Sequence, residues 1–122
     1  MTLEDIKRIE KETGLRFPNP YIDVVTNYPV ELLDTDAPDF GLLDDPDEII
    51  EENNDVRENG YFGEKWPERY LIIGKNGCGD YYVTTPDSED FSIGFSDHEE
   101  MACNLYANNL KEFIAKYLSD QE

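Results

Sequence analysis

Few side chains in this sequence could do chemistry. Its one histidine, His98, sits among Asp97, Glu99 and Glu100. An imidazole beside carboxylates can serve as a general base, but no serine or cysteine nucleophile has a motif context near it, and a helix start collects acidic neighbours in the same way. No catalytic residue is therefore expected. Cys78 and Cys103 are far apart and lack metal-ligand spacing, so with one histidine they do not make the usual zinc pairs. They are expected as reduced thiols, Cys78 in a turn and Cys103 near a helix start. Carboxylates are so abundant that no pair stands out as a glycosidase dyad.

Two stretches imitate binding motifs. Gly74-x-x-Gly77-x-Gly79 has the look of a phosphate loop, but such loops open a helix whose amides face the phosphate. Here a strand pattern follows and Lys75 is misplaced for a P-loop, so the glycines read as a hairpin turn. Asp34, Asp36 and Asp39 have the spacing of a calcium loop. Pro38 and Asp39 stand where an EF-hand needs an oxygen ligand and its turn glycine, and Asp45 is shorter than the usual closing Glu. The stretch reads as a solvated acidic loop, and no metal or cofactor is expected.

Charge is more informative. Among 122 residues, 29 are acidic and 10 basic, a formal net charge of −19. That excess argues against nucleic acid and anionic membranes as direct partners and favours a basic one. It is also concentrated: twelve of the acids lie between residues 31 and 60, opposed only by Arg57. The eight Tyr, six Phe and single Trp supply enough core material for a folded domain, expected to span residues 1–122. With no basic and apolar leader at Met1 and no long apolar run, a cytoplasmic location is expected.

The elements that must position these residues point to an α+β fold with a central antiparallel sheet. Tyr70–Ile73 is an apolar run expected as a central strand, Asn76-Gly77 is a hairpin signal, and Asp80–Thr85 is its return strand. Phe91, Ile93 and Phe95 alternate as a third strand beyond an acidic turn at Pro86–Asp90. An N-terminal helix pair precedes the sheet. Thr2 and Asp5 can cap the first helix, which Gly14 ends; Asn19 and Pro20 can start the second, which Pro29 closes. Glu31–Leu33 and Phe40–Leu43 are expected as edge strands. Tyr61–Pro67 is an aromatic loop, favoured as part of the core over a partner anchor. A last helix, packed on the sheet, is read from Leu105, Tyr106, Leu110, Phe113, Ile114, Tyr117 and Leu118, with Glu112 and Lys116 as an ion pair.

The middle helix carries the candidate binding face. Asp45 caps it, Pro46 takes the first position, and it is expected to run to Asn59 before Gly60. Ile49, Ile50, Asn53, Val56 and Arg57 fall on one side, and Glu51, Glu52, Asp55 and Glu58 on the other. Like charges four apart repel by a few tenths of a kcal/mol. The face reads equally as a solvated surface and as a partner-binding one. In the second case Asp44, Asp45, Asp47, Glu48, Glu51, Glu52, Asp55 and Glu58 are the contact residues.

Gly14-x-x-x-Pro18-x-x-Tyr21, the Ile73-Gly74 strand end with Gly77, Gly79 and Asp80, and the closing Asp97-His98-Glu99 and Ala107-Asn108-x-Leu110-x-Glu112-Phe113 together resemble the SUKH superfamily. That group includes the Smi/Knr cell-wall regulators, Syd-type proteins and many bacterial immunity proteins. The resemblance runs from about Leu3 to Leu118 and rests on turns, caps and core positions, so it carries over a fold and no site. One departure is Asn27-Tyr28-Pro29 where the family often has Asn-Gly, so the path of the next loop is not fixed by it. The resemblance implies a non-enzymatic binding protein, in bacteria commonly one that neutralises a toxin, often a nuclease. The expected partner is a basic toxin domain; the alternative is a regulator or scaffold that binds a protein of its own cell.

Overall fold

Thr2 starts the first helix by the expected capping box. Its hydroxyl accepts from the Asp5 amide at 3.2 Å, and the Asp5 carboxylate accepts from the Thr2 amide at 2.9 Å. Helix α1 (Leu3–Thr13) ends at Gly14 with φ +73°, a conformation favoured by glycine. Helix α2 (Asn19–Thr26) begins one residue early, with Pro18 as its cap. The computed structural model describes residues 1–86, 92–100 and 102–120.

The segment after Pro29 differs from expectation. Instead of edge strands it forms a one-turn helix, α3 (Val30–Leu33), and a 3-10 turn at Ala37–Asp39. Thr35 accounts for much of this, since its hydroxyl donates to the Leu32 carbonyl at 2.7 Å and accepts from the Ala37 amide at 3.0 Å. Such local side-chain bonds compete with a strand ladder. Leu32 and Ala37 are fully buried and anchor the segment.

Helix α4 (Pro46–Asn59) has the expected bounds, with Asp45 capping the Asp47 amide at 2.9 Å and Gly60 as its stop. Ile49, Asn53 and Val56 face inward as the helical pattern required. α1 touches α2 and has its longer contact with α4.

The sheet has four antiparallel strands in the order β1 (Leu71–Lys75), β2 (Tyr81–Thr84), β3 (Ile93–Asp97), β4 (Ala102–Ala107). β1 is therefore an end strand rather than a central one. It is apolar on both faces because Leu71 and Ile73 enter the main core while Ile72 joins a second cluster with Val56, Tyr61, Trp66 and Val83. Its outer edge is covered by Phe40–Leu43, which is not a strand but makes two main-chain bonds to it: the Lys75 amide donates to the Phe40 carbonyl and the Leu43 amide to the Ile73 carbonyl, each at 2.9 Å. Covering an edge in this way removes a template for unwanted pairing. Gly74 permits the approach, since a Cβ there would lie 1.8 Å from the Gly41 carbonyl oxygen.

β4 is the second departure. Leu105 and Tyr106 belong to this strand, and the last helix, α5, runs Leu110–Asp120. Cys103 accordingly lies in a strand and not at a helix start. Helix α5 packs on the sheet through Phe113, whose ring meets Tyr82 edge-on at 5.2 Å. Lys116 does not pair with Glu112. It lies 4.1 Å from the centre of the Tyr106 ring and donates to the Tyr106 carbonyl at 3.3 Å. Tyr61 and Trp66 are buried, as the core reading of the aromatic loop required, while Phe62 is exposed. Phe91 and the acidic turn from residue 87 onward lie outside the described residues.

Candidate partner-binding surface

The eight acids singled out from the sequence divide into two groups. Five are tied into the fold. The Asp44 carboxylate accepts from the N-terminal ammonium at 2.8 Å, Asp45 is the α4 cap, and Asp47 pairs with Arg8 at 2.6 Å. Glu48 and Glu52 share Lys75, at 3.2 and 3.6 Å, and Glu52 also accepts from the Tyr81 hydroxyl at 2.7 Å. Partial burial opposes charge on Lys75, but Glu48 and Glu52 outweigh it and raise the ammonium above its ordinary value. The Tyr81 phenol is raised as well, first by burial and then by the Glu52 carboxylate that it meets.

The other three, Glu51, Asp55 and Glu58, are exposed and recur at helical spacing along one ridge of α4. Asp55 accepts from Asn59 of its own helix at 2.7 Å, and Glu51 and Glu58 bond to nothing among the described residues. Arg57, the one cation between residues 31 and 60, is turned inward, where it donates to the Tyr70 carbonyl at 2.8 Å. The outer surface of this stretch thus has no cation of its own to neutralise it.

His98 is held in a turn between β3 and β4, not at a helix start. Its amide and its ring Nδ1 both meet Asp80 Oδ1, at 2.8 and 2.5 Å, and Asn76 donates to Asp80 Oδ2 at 2.7 Å. Hydrogen bonding to Asp80 raises the imidazole above its ordinary range; burial works against ionised Asp80, yet the bonds from His98 and Asn76 hold it below its own. Phe62 stacks on the ring with centroids 4.6 Å apart. The clasp joins the β1–β2 turn to the β3–β4 turn. Asp80, Asp97 and His98 are the one set of three or more His, Cys, Asp or Glu among the described residues whose ligand atoms lie within 4.8 Å of one another. Asp34, Asp36 and Asp39 form no such group, so their calcium-like spacing does not converge on a point.

A cleft of about 330 Å³ lies on the β3–β4 side of the sheet, lined among others by Tyr61, Trp66, Tyr70 and Cys103; His98 is not among its lining residues. The contacts of Glu48 and Glu52 with Lys75 and Tyr81 had no local signal in the sequence, because the partners lie in later strands. Among the described residues no helix is long and apolar enough to cross a membrane.

In comparison with known proteins, the model of the SMI1 / KNR4 family (SUKH-1) matches residues 1–116. No curated protein matches the chain, and no solved structure does.

Proposed function

Because the chain belongs to the SMI1 / KNR4 family (SUKH-1), we propose that it is a non-enzymatic immunity protein that binds and neutralises a basic, nuclease-type toxin domain. The observation that carries this reading is the orientation of Arg57. With that guanidinium turned to Tyr70, the outer carboxylates between residues 31 and 60 form a field with no internal cation. Such a field accelerates encounter with a basic protein and covers a surface that otherwise takes nucleic-acid phosphates. Of the eight α4-region acids, Glu51, Asp55 and Glu58 are free to make contact, whereas Asp44, Asp47, Glu48 and Glu52 are offset by the N-terminal ammonium, Arg8 and Lys75. Chemistry by the domain itself is not needed for this role, which requires occupancy of the toxin surface alone.

A tagged pull-down from the native host at low and high salt tests the reading, with the captured protein then assayed for nuclease activity. The expected result is a basic partner, released by salt, whose activity stops when one equivalent of this protein is added. A host regulatory protein retained at high salt would overturn it in favour of a scaffold role.

A further inference from the structure

The exposed carboxylates are not confined to α4. Glu31, Asp34, Asp36 and Asp39 are exposed, and none has a hydrogen bond or ion pair to its carboxylate among the described residues. Between them α3 projects two apolar side chains one helical turn apart, Val30 at 75% exposure and Leu33 at 53%. Both leave apolar area in water within a chain segment whose exposed charges are all acidic.

The segment that carries them is also anchored. Leu32, on the inner side of α3, and Ala37 after it are fully buried, and the Thr35 hydroxyl ties the two together through the Leu32 carbonyl and the Ala37 amide. The Leu42 amide donates to the Ala37 carbonyl and the Asp44 amide to the Pro38 carbonyl, each at 2.9 Å, fixing the segment to the chain that leads into α4. Exposed apolar side chains in an otherwise polar segment, held in place before binding, suit the apolar core of an interface and lower the ordering cost of forming it.

We infer that Val30 and Leu33 are the apolar anchor of the partner-binding surface, in a segment whose exposed charges, Glu31, Asp34, Asp36 and Asp39, are all acidic. The occupant is a basic protein surface with an apolar pocket bordered by Lys or Arg. Charge decides this against a second copy of the chain, because each copy carries a formal net charge of −19 and would present the same acidic segment to the other. The inference rests on the proposed basic partner and gives that partner's contact a centre on α3, away from the ridge of α4.

The test is a titration of ¹⁵N-labelled protein with two probes, an amphipathic peptide of alternating lysine and leucine and an oligolysine of equal length. The amphipathic peptide is expected to shift the amides of residues 30–39 and to bind about tenfold or more tightly than oligolysine. The V30S/L33S variant is expected to lose that advantage while keeping the spectrum of the folded protein, since both side chains are exposed. Shifts centred on Glu51, Asp55 and Glu58, equal binding of the two probes, no shifts at all, or self-association through α3 would each overturn the inference. If the peptide maps to α3 but no toxin is neutralised, the surface stands and the toxin reading falls. If a toxin is neutralised as well by V30S/L33S as by the native protein, the anchor falls alone.

Discussion

Asn53 stands in for a neighbouring strand at Ile72. Its Oδ1 accepts from the Ile72 amide at 2.9 Å, and its Nδ2 donates to the Ile72 carbonyl at 3.1 Å and to the Ile49 carbonyl at 2.8 Å. Both residues are fully buried, so α4 is docked on the sheet by side-chain to main-chain bonds as well as by apolar contact. Replacing Asn53 with Ala leaves two buried backbone groups of β1 without partners. At about 1–3 kcal/mol for each buried orphan, urea denaturation should show a loss of roughly 2–6 kcal/mol. A loss below about 0.5 kcal/mol, the size of an ordinary surface change, would show that the docking is carried by Ile49 and Val56 instead.

Gly74 should tolerate no side chain. A Cβ there collides with backbone at the Gly41 carbonyl, not with a flexible side-chain end, so the segment 40–43 must leave the edge of β1. Gly74→Ala is expected to cost about 3 kcal/mol or more, within the range of severe core overpacking. The Phe40–Lys75 and Leu43–Ile73 bonds break with it, so hydrogen exchange at the Lys75 and Leu43 amides should quicken in the same variant.

The Asp80–His98 clasp makes stability depend on pH in a defined sense. His98 is raised in the folded state, so its contribution is complete below its ordinary value of 6.5 and fades as pH rises through the folded value. Asp80 is lowered, so its contribution is complete above 3.8 and fades as pH falls through the folded value. Urea midpoints of the native protein and of His98→Asn should therefore differ most between those two values and converge toward alkaline pH. A difference that grows on going alkaline would contradict the clasp.

The two thiols should react at different rates. Cys78 is exposed in the hairpin turn, whereas burial in β4 pushes the Cys103 thiol up and leaves less thiolate. A disulfide reagent at neutral pH should label Cys78 first, and Cys78→Ser should remove the fast phase alone.

The parts of the fold that were legible in the sequence are those set by neighbouring residues. Thr2 with Asp5, Asp45 with Pro46, Gly60, and the Asn76-Gly77 turn all act within one turn of chain. β4 was missed because Leu105 and Tyr106 continue the helical spacing of Leu110, Phe113 and Tyr117. The signal that separates them is Asn109, whose side chain accepts from the Glu112 amide at 2.8 Å and so starts α5 after the strand. The end position of β1 was illegible for a different reason: a strand covered at its edge by residues 40–43 has the same apolar pattern as one between two strands. The candidate surface was half legible. Helical spacing placed Glu51, Asp55 and Glu58 on one ridge, but Asp47 bonds to a residue 39 positions away and Glu52 to one 29 positions away. No local pattern reports such pairs.

The most direct test of the account measures binding of the basic partner by the native protein and by a variant with Glu51, Asp55 and Glu58 changed to Lys. Glu52 is left intact because its bonds to Tyr81 and Lys75 belong to the fold. If the acidic surface recruits the partner, the variant keeps its melting temperature and, at low salt, binds more weakly by about tenfold or more, mostly through slower association. Equal affinity of the two proteins at low salt would contradict the claim that the acidic surface recruits the partner.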